Sequence, residues 1–239
     1  MFEFVVQDRE ARIVIDRGTR RNAVPVAGWN ELEKCVRAAN TSKASLITIT
    51  SADPASFCAG ADMVELHALA EDGRMRRKFA GSMDSAFGWI RRTNKPTVAL
   101  ISGGCYGVGV ALATACDIRV ARPDADFAVT PARFGLSYPQ TDVEALVRLV
   151  GPGHAARMIY GCEHYDGRAA ERLGLVELVD EGEDLGRDLI DRIAANASSS
   201  LCSLKATMLG RWGSRERFET SFASPDFARA AAQYRGGRG

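Results

Sequence analysis

The chain lacks most of the signals that mark common ligand chemistries. Its six cysteines are scattered without a Cys-x-x-Cys pair. They read as reduced core thiols of a reducing compartment, the cytoplasm, rather than as a disulfide framework. Cys162 and His164 form a Cys-x-His step, but no second ligand pair is spaced to complete a zinc site, so no metal is expected. No Gly-Lys pair occurs, which excludes a Walker A phosphate loop. No Gly-x-Ser-x-Gly occurs, which argues against a nucleophile-elbow hydrolase. Charge of one sign is also lacking: Lys+Arg number 31 and Asp+Glu 30, a net of +1. That balance gives no reason to expect a nucleic-acid or membrane-surface partner. Apolar runs such as Thr97–Ser102 are too short to span a bilayer. The opening "MFEFVVQDREARIVIDRG" carries charges through its apolar residues and reads as a hairpin, not a signal peptide.

What is present suits one domain with a sizeable core, or one domain with a small appendage: 239 residues, 46% of them hydrophobic. "EFVVQ" and "ARIVID" alternate as paired strands. "VPVAGWNELEKCVRAAN" places Val26, Trp29, Leu32, Cys35, Val36 and Ala39 at helical spacing. "ASLITITS" and "KPTVALISG" are short, nearly all apolar and β-branched, as buried strands are. The stretch "ADPASFCAGAD" reads as a loop, followed by helix through Arg92. "DIRVARP" and "DFAVTP" read as strands, and after Pro139 the chain is helical apart from a strand at "GLVELVD". Strands alternating with helices predict an α/β fold with crossovers. The pattern divides into a strand–helix core over 1–150 and a helical region over 151–239. The tail "YRGGRG" is expected to be mobile.

One segment departs from this background. "GCYGVGVALATACDI", Gly104–Ile118, has three glycines in six residues and no charge before Asp117. A dinucleotide fingerprint needs a third glycine where Leu112 stands, so that reading fails. A tight helix entry built for packing alone remains open. A second turn of similar design, "SFCAGADMVEL" from Ser56 to Leu66, also follows a buried strand and opens a helix. Asp62 is placed to cap that helix. Two helix N-termini with bare backbone can converge two amide donors on one oxygen, the design of an oxyanion hole.

These two segments, with "KPTVALISG" before the first and "FAVTPARFGLSYP" after it, resemble the core motifs of the crotonase (enoyl-CoA hydratase/isomerase) superfamily. "RNAVPVAGWNELEKCV" is similar to its N-terminal motif and "SPDFARAAAQY" to its C-terminal helix, so the resemblance runs the length of the chain. It implies a crotonase-like spiral of ββα units with a helical C-terminal region that covers the pocket and joins subunits. It implies homotrimers or homohexamers, and an acyl-CoA substrate, with coenzyme A present only as part of that thioester and no permanently bound cofactor. The oxyanion donors then fall on the backbone N–H groups of Ala61 and Val108. Arg20, Arg21, Ala59, Asp62 and Met63 match the segments that hold the nucleotide and pantetheine.

The family's hydratases carry two glutamates, which fall on Ala111 and Pro131, neither a carboxylate. Val108 stands where the family has glycine. Three substitutes lie on the segment lining the acyl end of the pocket. Tyr138 resembles the tyrosine of the family's decarboxylases, and its plain reading is a half-buried ring anchoring a loop. Asp142 and Glu144 stand near a catalytic aspartate of some members, or simply oppose a helix dipole. Glu65 and His67, one turn past the first donor, face either the pocket mouth or solvent. Three functions stay open: a hydratase/isomerase-type enzyme with unusual acid/base groups, a malonyl-type decarboxylase using Tyr138, or an acyl-CoA-binding protein without catalysis.

Overall fold

Alternating apolar residues make the N-terminal hairpin. β1 (Phe2–Gln7) and β2 (Glu10–Ile15) pair antiparallel with Phe2 opposite Ile15 and Gln7 opposite Glu10. The structure, a computed structural model describing residues 1–236, continues with helix α1 (Val26–Thr41). Its buried residues Trp29, Leu32, Val36 and Ala39 fall three and four apart, one stripe of a helix. The helix ends where Lys95 Nζ reaches the carbonyls of Ala39 (2.8 Å) and Ser42 (2.7 Å), acceptors a helix C-terminus leaves free.

A repeated step then builds the core. β3 (Leu46–Ser51) is followed by β4 (Ser56–Cys58) and helices α2 (Met63–Leu69) and α3 (Gly73–Arg92). β5 (Thr97–Ile101) is followed by β6 (Gly104–Tyr106) and α4 (Val108–Ala115). β7 (Ile118–Ala121) is followed by β8 (Asp126–Ala128), a 3-10 turn at Pro131–Phe134 and α5 (Gln140–Gly161). The first strand of each step joins one sheet and the second joins another. The large sheet runs β1-β2-β3-β5-β7-β10 and the small one β4-β6-β8-β9. Beyond the first hairpin, pairing in the large sheet is parallel, as crossover helices require.

Helix α5 runs across the 150/151 position and is kinked there, where Gly151 has φ 76° ahead of Pro152. The chain beyond it is helical in α6 (Gly167–Leu173), α7 (Arg187–Ala194), α8 (Ser198–Met208), α9 (Ser214–Ser221) and α10 (Pro225–Gly236). It also returns two short strands to the core: β9 (Tyr165–Asp166) against β8 and β10 (Leu178–Val179) against β7. Lys205 of α8 fastens this region from below. Its Nζ, nearly buried, lies 2.7 Å from Asp117 Oδ2 and donates to the Lys95 carbonyl at 2.7 Å.

The element reading needs three corrections. The segment expected as a loop holds β4, the glycine turn itself holds β6, and the strand expected at "DFAVTP" stops at Ala128. The tail expected to be mobile begins as helix, since α10 continues through Gly236; residues 237–239 lie outside the described residues.

Helix α1 packs on α3 through Trp29 and Phe87, edge to face with centroids 5.3 Å apart and both rings buried. Trp29→Ala is expected to destabilise the protein by about 3–5 kcal/mol, the usual result of emptying an aromatic site in a core. Urea unfolding measures this, and a loss below about 1 kcal/mol would show that the contact is dispensable.

Candidate active site

β4 and β6 lie side by side, Ser56 opposite Gly104 and Cys58 opposite Cys105, so the turns that leave them emerge together. Helix α4 starts close against β4: a Cβ on Gly109 would come within 2.5 Å of the Cys58 carbonyl oxygen. Only glycine permits that approach.

The first turn is clamped to the segment before α1. Ala59 N–H donates to the Arg21 carbonyl at 3.0 Å, Val24 N–H to Gly60 at 2.8 Å, and Asp62 N–H to Val24 at 3.0 Å. In such a parallel bridge the central residue turns its own N–H away from the partner strand. Ala61 is that residue. Buried Asn22 steadies the clamp, its amide reaching Ser51 Oγ (2.6 Å) and the Ser56 carbonyl (2.8 Å). Asp62 caps α2 by accepting from Val64 N–H (3.0 Å) and pairs with Arg17 Nη1 at 2.7 Å. Burial pushes its carboxyl up, but the Arg17 and Val64 contacts outweigh this and hold it below the usual carboxylate range.

The second turn pivots on Gly107, whose φ of 53° and ψ of −117° suit only glycine. Its carbonyl accepts from Val110 N–H (3.0 Å), more weakly from Ala111 N–H (3.4 Å), and from the Tyr138 hydroxyl (2.9 Å). A trans peptide is planar and sets its N–H opposite its C=O. Fixing the Gly107 carbonyl therefore aims the Val108 N–H the other way. Among the described residues, neither Ala61 N–H nor Val108 N–H meets a backbone or side-chain acceptor. Both residues line one cavity of about 450 Å³. Its walls are largely apolar, with Met63 and Leu66 from α2, Phe79 and Met83 from α3, and Phe134 and Leu136 after β8.

The structure divides the sequence-derived candidates. Ala59, Ala61, Met63, Arg21, Val108, Pro131 and Tyr138 line the cavity. Arg20 is exposed beside it, and Asp62 supports the turn from behind. Ala111 is buried in α4. Asp142 is buried against Arg91 of α3, and burial raises its carboxyl despite that partner. Glu144 is exposed and accepts from Gln140 Nε2 at 2.7 Å. Neither Asp142 nor Glu144 lines the cavity. Glu65 caps α1 by accepting from Val26 N–H at 2.5 Å, and His67 is exposed. Tyr138 holds its proton tightly: burial first, then the nearby Asp142, pushes its hydroxyl well above the ordinary range. Sequence reading missed Tyr106 and His164, which also line the cavity, and Asp126, which joins them. Tyr106 was inside the quoted glycine turn, and only the small sheet reveals what it faces.

The family model for enoyl-CoA hydratase/isomerase matches residues 8–214, and the chain belongs to that family. A crotonyl-CoA hydratase from Syntrophomonas wolfei is 30% identical over 188 residues, 77% of this chain and 72% of that protein. A peroxisomal Delta(3,5)-Delta(2,4)-dienoyl-CoA isomerase from Arabidopsis thaliana is 29% identical over 178 residues, 70% of this chain and 64% of that protein. The crystal structure of an enoyl-CoA hydratase/isomerase family protein from Hyphomonas neptunium superposes with a TM-score of 0.94 at 29% identity, covering 99% of this chain and 95% of that one. The expected crotonase-like α/β fold is thus the observed one.

The Asp62–Arg17 clamp carries a pH signature. The folded carboxyl titrates below its unfolded value of about 3.9. Its stabilisation is therefore complete above about pH 4 and is lost as pH falls through the folded value. Asp62→Asn is expected to weaken the fold by about 1.5–3 kcal/mol at pH 7, with the gap to wild type closing as pH approaches 3. Thermal unfolding across pH 3–7 measures it, and a gap that widens in acid would reverse the assignment.

Proposed function

We propose that the protein is an acyl-CoA-transforming enzyme that stabilises a thioester enolate between the N–H groups of Ala61 and Val108. One observation carries this: two backbone donors without acceptors, from two paired strands, lining one largely apolar cavity. Donors fixed before the reaction stabilise a developing oxyanion strongly, because no reorganisation is needed when charge appears. Arg21, Ala59 and Met63 line the cavity, Asp62 holds their turn from behind and Arg20 is exposed nearby; in this reading these segments take the pantetheine and nucleotide. Coenzyme A then enters only as part of the substrate. Family membership supports the acyl-CoA class, since the relatives named above are a crotonyl-CoA hydratase and a dienoyl-CoA isomerase.

With Ala111 and Pro131 at the glutamate positions, double-bond migration or another enolate reaction fits better than water addition. The decarboxylase alternative asks Tyr138 to donate to substrate, whereas its proton is held by the Gly107 carbonyl. In this reading Tyr138 is a positioning residue: it orients the peptide that carries the Val108 donor. Assembly into homotrimers or homohexamers is part of the proposal, supported by apolar side chains facing outward from the C-terminal helices, among them Met208, Trp212, Phe218 and Phe222. A cytoplasmic location is proposed with it, consistent with six unpaired cysteines.

Titration calorimetry with a non-hydrolysable acyl-CoA is expected to show saturable binding, and NAD none; the reverse result would overturn the acyl-CoA reading. Crotonyl-CoA hydration is expected to fall far below the common enzyme range of about 1–10³ per second, since each missing acid/base group costs about 10²–10⁴-fold.

Tyr138→Phe keeps the ring but frees the Gly107 carbonyl. It is expected to lower kcat and kcat/KM together by about tenfold, less than the 10²–10³-fold loss of an entire oxyanion donor. Steady-state kinetics on a substrate found by mass spectrometry of a CoA-thioester panel tests this. A silent Tyr138→Phe beside a damaging Asp142→Asn or Glu144→Gln would transfer the role to a carboxylate.

A further inference from the structure

Three strand ends meet at the rim of the cavity and bring together side chains far apart in sequence. Tyr106 ends β6, Asp126 begins β8, and His164 immediately precedes β9. His164 Nδ1 lies 2.8 Å from Asp126 Oδ2 and 3.1 Å from Oδ1. The Tyr106 hydroxyl donates to Asp126 Oδ2 at 2.6 Å, and its ring meets the imidazole with centroids 5.8 Å apart. A carboxylate accepts only from a protonated nitrogen, so the Asp126 contact keeps a proton on Nδ1 and, in the neutral ring, leaves the lone pair on Nε2.

Elimination points to the same group. Among the described residues lining the cavity, the ionisable ones are Arg21, Arg133, Tyr106, Tyr138 and His164. Arginine does not lose its proton in proteins. Burial and the bond to Asp126 push the Tyr106 phenol up to about 12. The Tyr138 hydroxyl is committed to Gly107. No carboxylate lines the cavity among the described residues. His164 is left as the one of these five whose ring nitrogen can offer a lone pair to a proton.

We propose that His164 is the general base of this cavity, held by Asp126 and through it by Tyr106, and that it moves the α-proton of a bound acyl-CoA thioester. This rests on the acyl-CoA reading above. The Cα–H bond breaks and its proton passes to Nε2, giving an imidazolium paired with Asp126. The electron pair enters the enolate, whose oxygen faces Ala61 and Val108. Return of the proton to Cα restores the substrate. With a β,γ-enoyl group, removal at Cα and delivery at Cγ shifts the double bond. No oxidant, metal or water is consumed. Asp126 and Tyr106 are positioning residues here, acting through the imidazole.

The test uses butyryl-CoA, a saturated thioester that can reveal α-proton transfer without further chemistry. Wild type in D₂O is expected to place deuterium at the α-carbon, read by mass spectrometry. His164→Asn retains a donor toward Asp126 but no base. It is expected to bind butyryl-CoA with unchanged Kd in calorimetry while exchange drops about 10²–10⁴-fold. In His164→Ala, added imidazole is expected to restore exchange, which a purely structural histidine would not show. Asp126→Asn is expected to lower exchange with little change in Kd, and Asp126→Glu to recover part of it. Exchange at the wild-type rate in His164→Asn, or no rescue of His164→Ala by imidazole, overturns the proposal. Wild type that binds butyryl-CoA without exchanging it overturns the proposal and leaves the acyl-CoA reading standing. Absence of butyryl-CoA binding removes both.

Discussion

The Gly107–Val108 peptide is planar, and the rest of the site follows from how that plane is held. Three donors converge on its carbonyl, two from the first turn of α4 and one from Tyr138. A peptide whose oxygen is fixed has an N–H direction that is no longer free. The conformation this requires, with positive φ and strongly negative ψ, is accessible at Gly107 because that residue has no side chain. The hydroxyl, the glycine and the helix N-terminus are therefore one device, and the proposed oxyanion donor is its output.

The small sheet brings the other donor into register. Each ββα step sends its first strand to the large sheet and its second to the small one, so equivalent turns from successive steps stack beside each other. Ala61 and Val108 occupy corresponding places in two such steps, separated by a pairing of only a few residues. The third step supplies Asp126 from the start of its second strand, β8, and the antiparallel addition of β9 delivers His164. The repeat thus collects side chains and amides from four parts of the chain around one cavity.

Elements with a strong period were legible from sequence. The hairpin carries an alternation and α1 a three-four spacing, while β3 and β5 carry short apolar, β-branched runs, and burial repeats each pattern. Of the small sheet only β8 was legible, inside "DFAVTP"; β4 and β6 are three residues long and β9 is two, too short to show any period. That omission explains the fate of the site residues. The turns that carry Ala61 and Val108 stood out because small residues before a helix are a local signal, and the family resemblance then pointed to those two residues. Tyr106, Asp126 and His164 were missed because their association exists only through strand pairing. Asp142 looked available in sequence, but Arg91 lies 51 positions away and only folding brings it alongside.

Val108, Ala111 and Pro131 expose a division between what this cavity holds and what it does. The amides that face the cavity belong to the main chain, so replacing the side chain of Ala61, Val108 or Ala111 leaves them in being. The Val108 amide depends instead on the backbone at Gly107, the Tyr138 hydroxyl and the Gly109 contact with Cys58, and the Ala61 amide on the bridge to Val24. Reactive side chains can then be gained and lost around a persistent anchor. A chain of this kind can drift from one reaction to another, or into silence, while the backbone anchor proposed for a thioester oxygen passes unaltered from ancestor to descendant.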